Sequence, residues 1–111
     1  MNCIFCKIAN HQQESDIVYE DEKIIVFKDI NPHTLIHFLI TPKKHIKSIN
    51  HLKEDDRNLI SDMVFLSKKL AKEYGIAGKG YRLVFHVGRG GGQIIDHLHL
   101  HLMGGGEIVN E

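Results

Sequence analysis

Three histidines alternate with leucines in His97-Leu98-His99-Leu100-His101-Leu102, close behind the glycine-rich stretch Gly88-Arg89-Gly90-Gly91-Gly92-Gln93. In a strand successive side chains point to opposite faces, so this spacing sets three imidazoles on one side and three leucines on the other. An unperturbed imidazole titrates near pH ~6.5 and works as base, nucleophile, acid or metal ligand at neutral pH. Glycines let backbone approach a ligand closely and can turn successive N–H groups toward an anion. A phosphate beside three imidazoles is a coherent site. The loop lacks the spacing and lysine of a P-loop, and a glycine-rich hairpin turn accounts for it equally well.

Both cysteines fall in Cys3-Ile4-Phe5-Cys6. A reducing compartment disfavours a structural disulfide there, which leaves metal binding, redox chemistry or two small buried hydrophobes. His37 lies in the apolar run Thr34-Leu35-Ile36-His37-Phe38-Leu39-Ile40-Thr41, facing opposite to Ile36 and Phe38, so it is buried or faces a ligand.

The elements that position these residues read as an α+β chain. Ile17 to Glu20 and Lys23 to Asp29 form strands joined tightly around Asp21-Glu22, and the run 34–41 forms a third, stopped at Pro42. Leu59, Ile60, Met63, Val64, Leu66, Leu70 and Ala71 recur at helical spacing between Glu54 and about Tyr74. Glu54, Asp55 and Asp56 fall in the first turn of that helix, Lys68, Lys69 and Lys72 near its end, and Gly75 just after it. These charges read as a solvated face that complements the helix dipole. Tyr81 to Val87 and Asp96 to Met103 supply two more strands, and Cys3 to Ala9 a short helix. The expectation is a five-stranded, mostly antiparallel sheet with one long and one short helix.

At 111 residues with 42% hydrophobic content the chain is expected to form a single domain over 1–111. Fourteen basic and fourteen acidic residues balance, which excludes the global charge of a nucleic-acid or membrane-surface binder and favours a small ligand. No apolar stretch approaches the ~20 residues of a membrane helix, and Met1 to Cys6 lacks the pattern of a signal peptide, so a cytoplasmic protein is expected.

His97-Leu98-His99-Leu100-His101-Leu102-Met103 resembles the signature of the histidine triad (HIT) superfamily. The resemblance extends through Ile4-Phe5-x-Lys7-Ile8, Phe27-Lys28-Asp29-Ile30-Asn31-Pro32, His37-Phe38-Leu39-Ile40-x-Pro42-Lys43-Lys44-His45-Ile46, Gly80-Tyr81-Arg82 and Gly91-Gly92-Gln93. It is nearest the Hint branch of nucleotide-binding phosphoramidases. That resemblance implies a HIT-like homodimer, paired through the long helix and a sheet edge. It also implies a purine nucleoside monophosphate site and hydrolysis of the phosphorus–nitrogen bond of nucleoside phosphoramidates through a nucleotidyl-histidine. By position, His99 is the nucleophile and His101 contacts the phosphate. Asp29 and Ile30 hold ribose and base, Gly92 and Gln93 form the phosphate-side loop, and His37 supports the site. Some members of the superfamily bind zinc through residues that match Cys3, Cys6, His45 and His97, a closed and therefore structural set.

Two positions depart from the family pattern: His86 stands where asparagine is common, and Ile94 where serine or threonine usually follows the Gly-Gln pair. Both belong to the nucleotide-binding set, and Ile94 removes a hydroxyl from the leaving-group side. The family often places contacts in the segment after the triad, where this chain has Gly104-Gly105-Gly106-Glu107. An enzyme is the first expectation. A catalytically weak nucleotide-binding regulatory module is the alternative, and a third reading puts zinc on His97, His99 and His101 themselves. His11, His33 and His51 match nothing in the pattern and read as surface residues.

Overall fold

A computed structural model of the chain describes residues 2–106; Met1 and Glu107, both part of the sequence reading, lie outside the described residues. The elements run α1 (Ile4–Ala9), β1 (Ile17–Glu20), β2 (Ile24–Lys28), β3 (Ile36–Pro42), α2 (Arg57–Glu73), β4 (Tyr81–Val84) and β5 (Leu100–Gly104). The strands form one fully antiparallel sheet in the order β1-β2-β3-β5-β4. The α+β expectation holds.

Strand alternation divides the core between the two faces of the sheet. Ile24, Val26, Phe38, Ile40, Leu100 and Leu102 pack with Met63, Leu66, Leu70 and Ala71 of α2. Ile25, Phe27 and Leu39 point the other way and pack with Cys3, Phe5, Ile8 and Ala9 around α1. His101 pairs with Leu39 across the ladder, and His37 lies two residues before Leu39, so both histidines share the α1 face.

Several boundaries differ from the sequence reading, each for a local reason. Pro42 is the last residue of β3 instead of its stop, because a proline at a strand end forfeits no needed N–H. The fourth strand ends at Val84, where His86 turns back to hydrogen-bond the Gly91 carbonyl. The fifth begins only at Leu100. Residues 93–98 are drawn instead to the segment beyond β3, where Leu98 N–H donates to Ile46 O and the Gln93 side chain donates to Lys47 O. Glu54–Asp56 form a separate 3-10 turn ahead of α2. Asp56 is buried there, not solvated; it accepts Lys44 Nζ at 2.8 Å and Lys53 N–H at 2.9 Å, and the lysine partner holds its carboxyl below the usual range. Of the expected helix stripe, Val64 is exposed and Ser67 is buried in its place. Gly75 follows α2 in the left-handed conformation, as expected of a residue that ends a helix.

Gly104 closes β5 against the turn after α2. A Cβ there would stand 2.7 Å from Ile76 Cδ1 and 3.2 Å from both Ile76 Cβ and Tyr81 Cβ. Gly104→Ala is therefore expected to destabilise the fold by about 1–3 kcal/mol. Gly90→Ala, with open space around the new methyl, leaves the chemical-denaturation midpoint essentially unchanged. Equal midpoints for the two variants would contradict this packing.

Candidate active site and metal centre

The three triad histidines do not stand together on an open surface. His97 and His99 are buried beneath α1, and Phe5 meets both rings edge-on at centroid distances of 5.9 and 5.1 Å. Leu98, Leu100 and Leu102 are buried on their own side. The alternation read from the sequence is retained, although His97 and His99 precede β5.

A carbonyl oxygen only accepts, so a ring nitrogen facing one at hydrogen-bond distance carries the hydrogen of a neutral imidazole. His97 Nε2 lies 2.7 Å from Pro42 O, which assigns its hydrogen to Nε2 and leaves the Nδ1 lone pair for Cys3, Cys6 and His45. His99 Nδ1 lies 2.7 Å from His97 O, so its Nε2 holds the lone pair. His33 N–H donates to His37 Nδ1 at 3.1 Å, which puts the hydrogen of His37 on Nε2, 2.9 Å from His101 Nδ1 and 3.3 Å from Asp29 Oδ2. His101 Nδ1 then accepts, and its Nε2 bears the hydrogen. That Nε2 is buried and has no partner.

Burial pushes His97 and His101 down to about 4; the Pro42 carbonyl opposes the shift at His97, and the neighbouring His99, His37 and His86 add to it at His101. Burial lowers His99 against the pull of the His97 carbonyl, and His37 against the Asp29 carboxylate. All four rings are thus neutral at pH 7. His99 presents a lone pair and His101 an unpartnered N–H, on rings 4.9 Å apart by their centroids. A buried donor without a partner is costly, and an anionic oxygen placed there would satisfy it.

The remaining expected contacts surround this pair unevenly. Asp29 Oδ1 takes the Asn31 N–H, and Ile30 is 90% exposed. His86 donates Nδ1–H to Gly91 O and sets its ring edge-on to His101 at 4.9 Å. Ile94 is 81% exposed. Gln93 is engaged within the protein: its side chain bonds Gly88 N–H, Lys47 O and Ile95 O, and its own N–H goes to Gly88 O. Gly91 and Gly92 spend their N–H groups on Gly88 O and Arg89 O, so the loop is a self-bonded turn there and not a row of donors aimed at an anion. Gly92 adopts φ +88°, against the His86 ring. Arg89 adds a two-pronged contact to Asp96, at 2.8 and 3.2 Å.

Cys3, Cys6, His45 and His97 converge as the sequence suggested, with ligand atoms all within 4.8 Å of one another. The His45 and His97 Nδ1 atoms are 3.2 Å apart, and the sulfur–nitrogen contacts run 3.2 to 3.5 Å. The edges of a tetrahedral zinc site with Zn–N ~2.05 Å and Zn–S ~2.3 Å are roughly 3.3 to 3.6 Å for these pairs. The second nitrogen of His97 is already held by a carbonyl, the usual outer support of a metal-bound imidazole. Without a cation, burial and the adjacent Cys3 push the Cys6 thiol up to about 11. The donor set therefore fits a divalent, thiolate-tolerant ion such as zinc. A second cluster, Asp29, His37 and His101, is similarly close, but the His33 N–H on His37 Nδ1 forces hydrogen onto the nitrogen that a metal would need. Zinc on His97, His99 and His101 together is overturned: His97 turns its lone pair to the cysteines and His101 turns to His37.

The sequence reading missed two contributors. Phe5 covers His99, and His33, read as a bare surface residue, fixes His37 through its backbone. His11 and His51 are exposed and bond Glu20 and Ser48.

Residues 2–107 match the family described as the scavenger mRNA decapping enzyme C-terminal binding domain. A HIT-like protein of Buchnera aphidicola is 42% identical over 105 residues, spanning 95% of this chain and 94% of the relative. The structure of a HIT family hydrolase from Legionella pneumophila is 47% identical, with a TM-score of 0.95 over 97% of this chain and 96% of that one. The histidine triad nucleotide-binding protein of Candida albicans is 30% identical, with a TM-score of 0.81 over 99% of this chain and 85% of that one.

The buried neutral histidines make stability depend on pH. Their folded pKa values lie below the unfolded value of ~6.5, so the unfolded chain binds more protons between the two. Their contribution is complete above pH 6.5 and is lost as pH falls through about 4. The melting temperature is expected to hold from pH 8 to 6.5 and to drop steadily from there to pH 4, with a smaller drop in His101→Asn. A melting temperature constant down to pH 4.5 would contradict the assignment.

Proposed function

The chain belongs to the histidine triad superfamily, and from that premise we propose that it hydrolyses the phosphorus–nitrogen bond of purine nucleoside phosphoramidates in the manner of the Hint branch. The observation that carries the reading is the pairing of a lone pair on His99 Nε2 with an unpartnered N–H on His101 Nε2, both neutral and side by side.

The chemistry follows from those two atoms. His99 Nε2 attacks the α-phosphorus, the new N–P bond forms as the bond to the amine breaks, and the His97 carbonyl stabilises the positive charge that develops on the ring. His101 donates Nε2–H to a non-bridging phosphate oxygen, a hydrogen bond that strengthens as negative charge builds. His37 holds His101 in that tautomer. The departing nitrogen needs a proton, and His86, whose Nδ1–H is engaged with Gly91 O, delivers one from Nε2 after protonation by solvent. Water then attacks phosphorus, the N–P bond to His99 breaks, and nucleoside monophosphate leaves. The proton released by that water restores His86.

Asp29 hydrogen-bonds the ribose and the exposed Ile30 packs on the purine. Gly92 and Gln93 form the loop on the phosphate side. Zinc on Cys3, Cys6, His45 and His97 takes no part in the reaction; it ties the N-terminal segment to the triad. A homodimer in the cytoplasm completes the proposal. The nucleotide-binding name of the Candida albicans relative supports the ligand class.

Ile94 favours a second reading, in which the pocket binds nucleotide and turns over poorly, since an exposed aliphatic side chain replaces a hydroxyl on the leaving-group side. Release of AMP from adenosine 5'-phosphoramidate separates the two. Steady turnover that drops by about a thousandfold or more in His99→Ala, with AMP still bound by the variant, is the result expected of the enzyme. AMP binding without turnover in the intact protein would establish the module.

A further inference from the structure

The metal cluster and the triad are joined at one residue and again through one ring. His97 gives its Nδ1 to the cluster, its Nε2–H to Pro42 O and its carbonyl to His99 Nδ1–H, so a single residue is both metal ligand and acceptor for the proposed nucleophile. Cys3 and Cys6 flank Phe5 in α1, a helix of only six residues. Phe5 is 6% exposed and fixed edge-on against His99 at 5.1 Å, His97 at 5.9 Å and Phe27 at 5.1 Å. A six-residue helix has little stability of its own. What holds α1 in place is the apolar contact of Phe5, Ile8 and Ala9 with Ile25, Phe27 and Leu39, together with the four-donor cluster.

We propose that the Cys3/Cys6/His45/His97 centre is a positioning device for His99: a divalent ion held there locks α1 and the His97 peptide, and thereby fixes the ring that attacks phosphorus. This goes beyond a structural staple. It rests on the reading of His99 as the nucleophile, and it makes Phe5 and His97 positioning residues for it. With the ion gone, Phe5 is released from His99 and the His97 carbonyl is less firmly placed, so the lone pair of His99 Nε2 wanders from the line of attack while the nucleotide contacts at Asp29 and Ile30 stay intact. The loss falls on kcat and spares KM. A misplacement of about 1 Å costs on the order of a hundredfold in rate.

The experiment compares the full chain loaded with one equivalent of zinc, the same protein stripped by chelator, Cys6→Ser, and Phe5→Leu, which keeps every metal ligand. Zinc stoichiometry, amide hydrogen exchange over 3–10 and 97–100, and kcat and KM for adenosine 5'-phosphoramidate are read for each. The proposal expects one zinc per chain, slowed exchange in both segments on loading, and a fall in kcat of about ten- to a hundredfold at unchanged KM in the stripped protein and in Cys6→Ser. The same fall is expected in zinc-loaded Phe5→Leu. Zinc binding that protects 3–10 alone and leaves kcat untouched by stripping would overturn it, as would failure to bind zinc. If no form turns over, the enzymatic reading fails by itself. Exchange over 97–100 then decides the coupling: protection on loading supports it, and its absence overturns it.

Discussion

The rings of His37, His97, His99 and His101 are neutral and each has one hydrogen to give, so fixing the partner of one ring nitrogen decides what the other can do. The arrangement depends on that constraint at every ring. The Pro42 carbonyl leaves the His97 lone pair on Nδ1, facing Cys3, Cys6 and His45; the His97 carbonyl leaves that of His99 on Nε2; and the His33 amide, through His37, leaves the hydrogen of His101 on Nε2. Three residues of the same type, two apart in sequence, thereby present different ring nitrogens to different surroundings. Burial supplies the other half of the constraint by keeping the rings uncharged.

The fold produces these partners by pulling the triad segment partly out of the sheet. Had the fifth strand begun at Asp96, the His97 peptide would belong to the ladder. Instead residues 93–98 lie along the end of β3 and the segment after it, where the His97 ring meets Pro42 O, Leu98 N–H meets Ile46 O and the Gln93 side-chain amide meets Lys47 O. Only His101 sits in regular ladder pairing, opposite Leu39 on the face that α1 covers. The apolar contacts of α1 therefore bury the triad and exclude water from two of its rings. The leucines that alternate with the histidines face away from them, and Leu100 and Leu102 anchor the same strand to α2.

Much of this was legible because alternation and helical spacing are strong signals. The hairpin at Asp21-Glu22, the long helix, the facing of His37 and the convergence of Cys3, Cys6, His45 and His97 follow from residue pattern and family resemblance. What could not be read is contact made by backbone. Nothing in residue type reveals that the Pro42 carbonyl fixes His97, that the His33 amide fixes His37, or that the Gly91, Gly92 and Gln93 amides close on their own loop. Val64 and Asp56 were misread for a related reason: helical spacing gives the buried stripe only to within its width, and a buried carboxylate becomes visible only when its lysine is found twelve residues upstream. Phe5 is core, and its neighbours there include the His97 and His99 rings.

The rest depends on which nitrogen of each ring carries the hydrogen, and long-range proton–nitrogen NMR of the imidazoles at pH 7.5 tests that most directly. Neutral rings are expected, with the hydrogen on Nδ1 of His99 and on Nε2 of His37, His97 and His101. A hydrogen on Nε2 of His99, or rings averaging between the two tautomers, would contradict it.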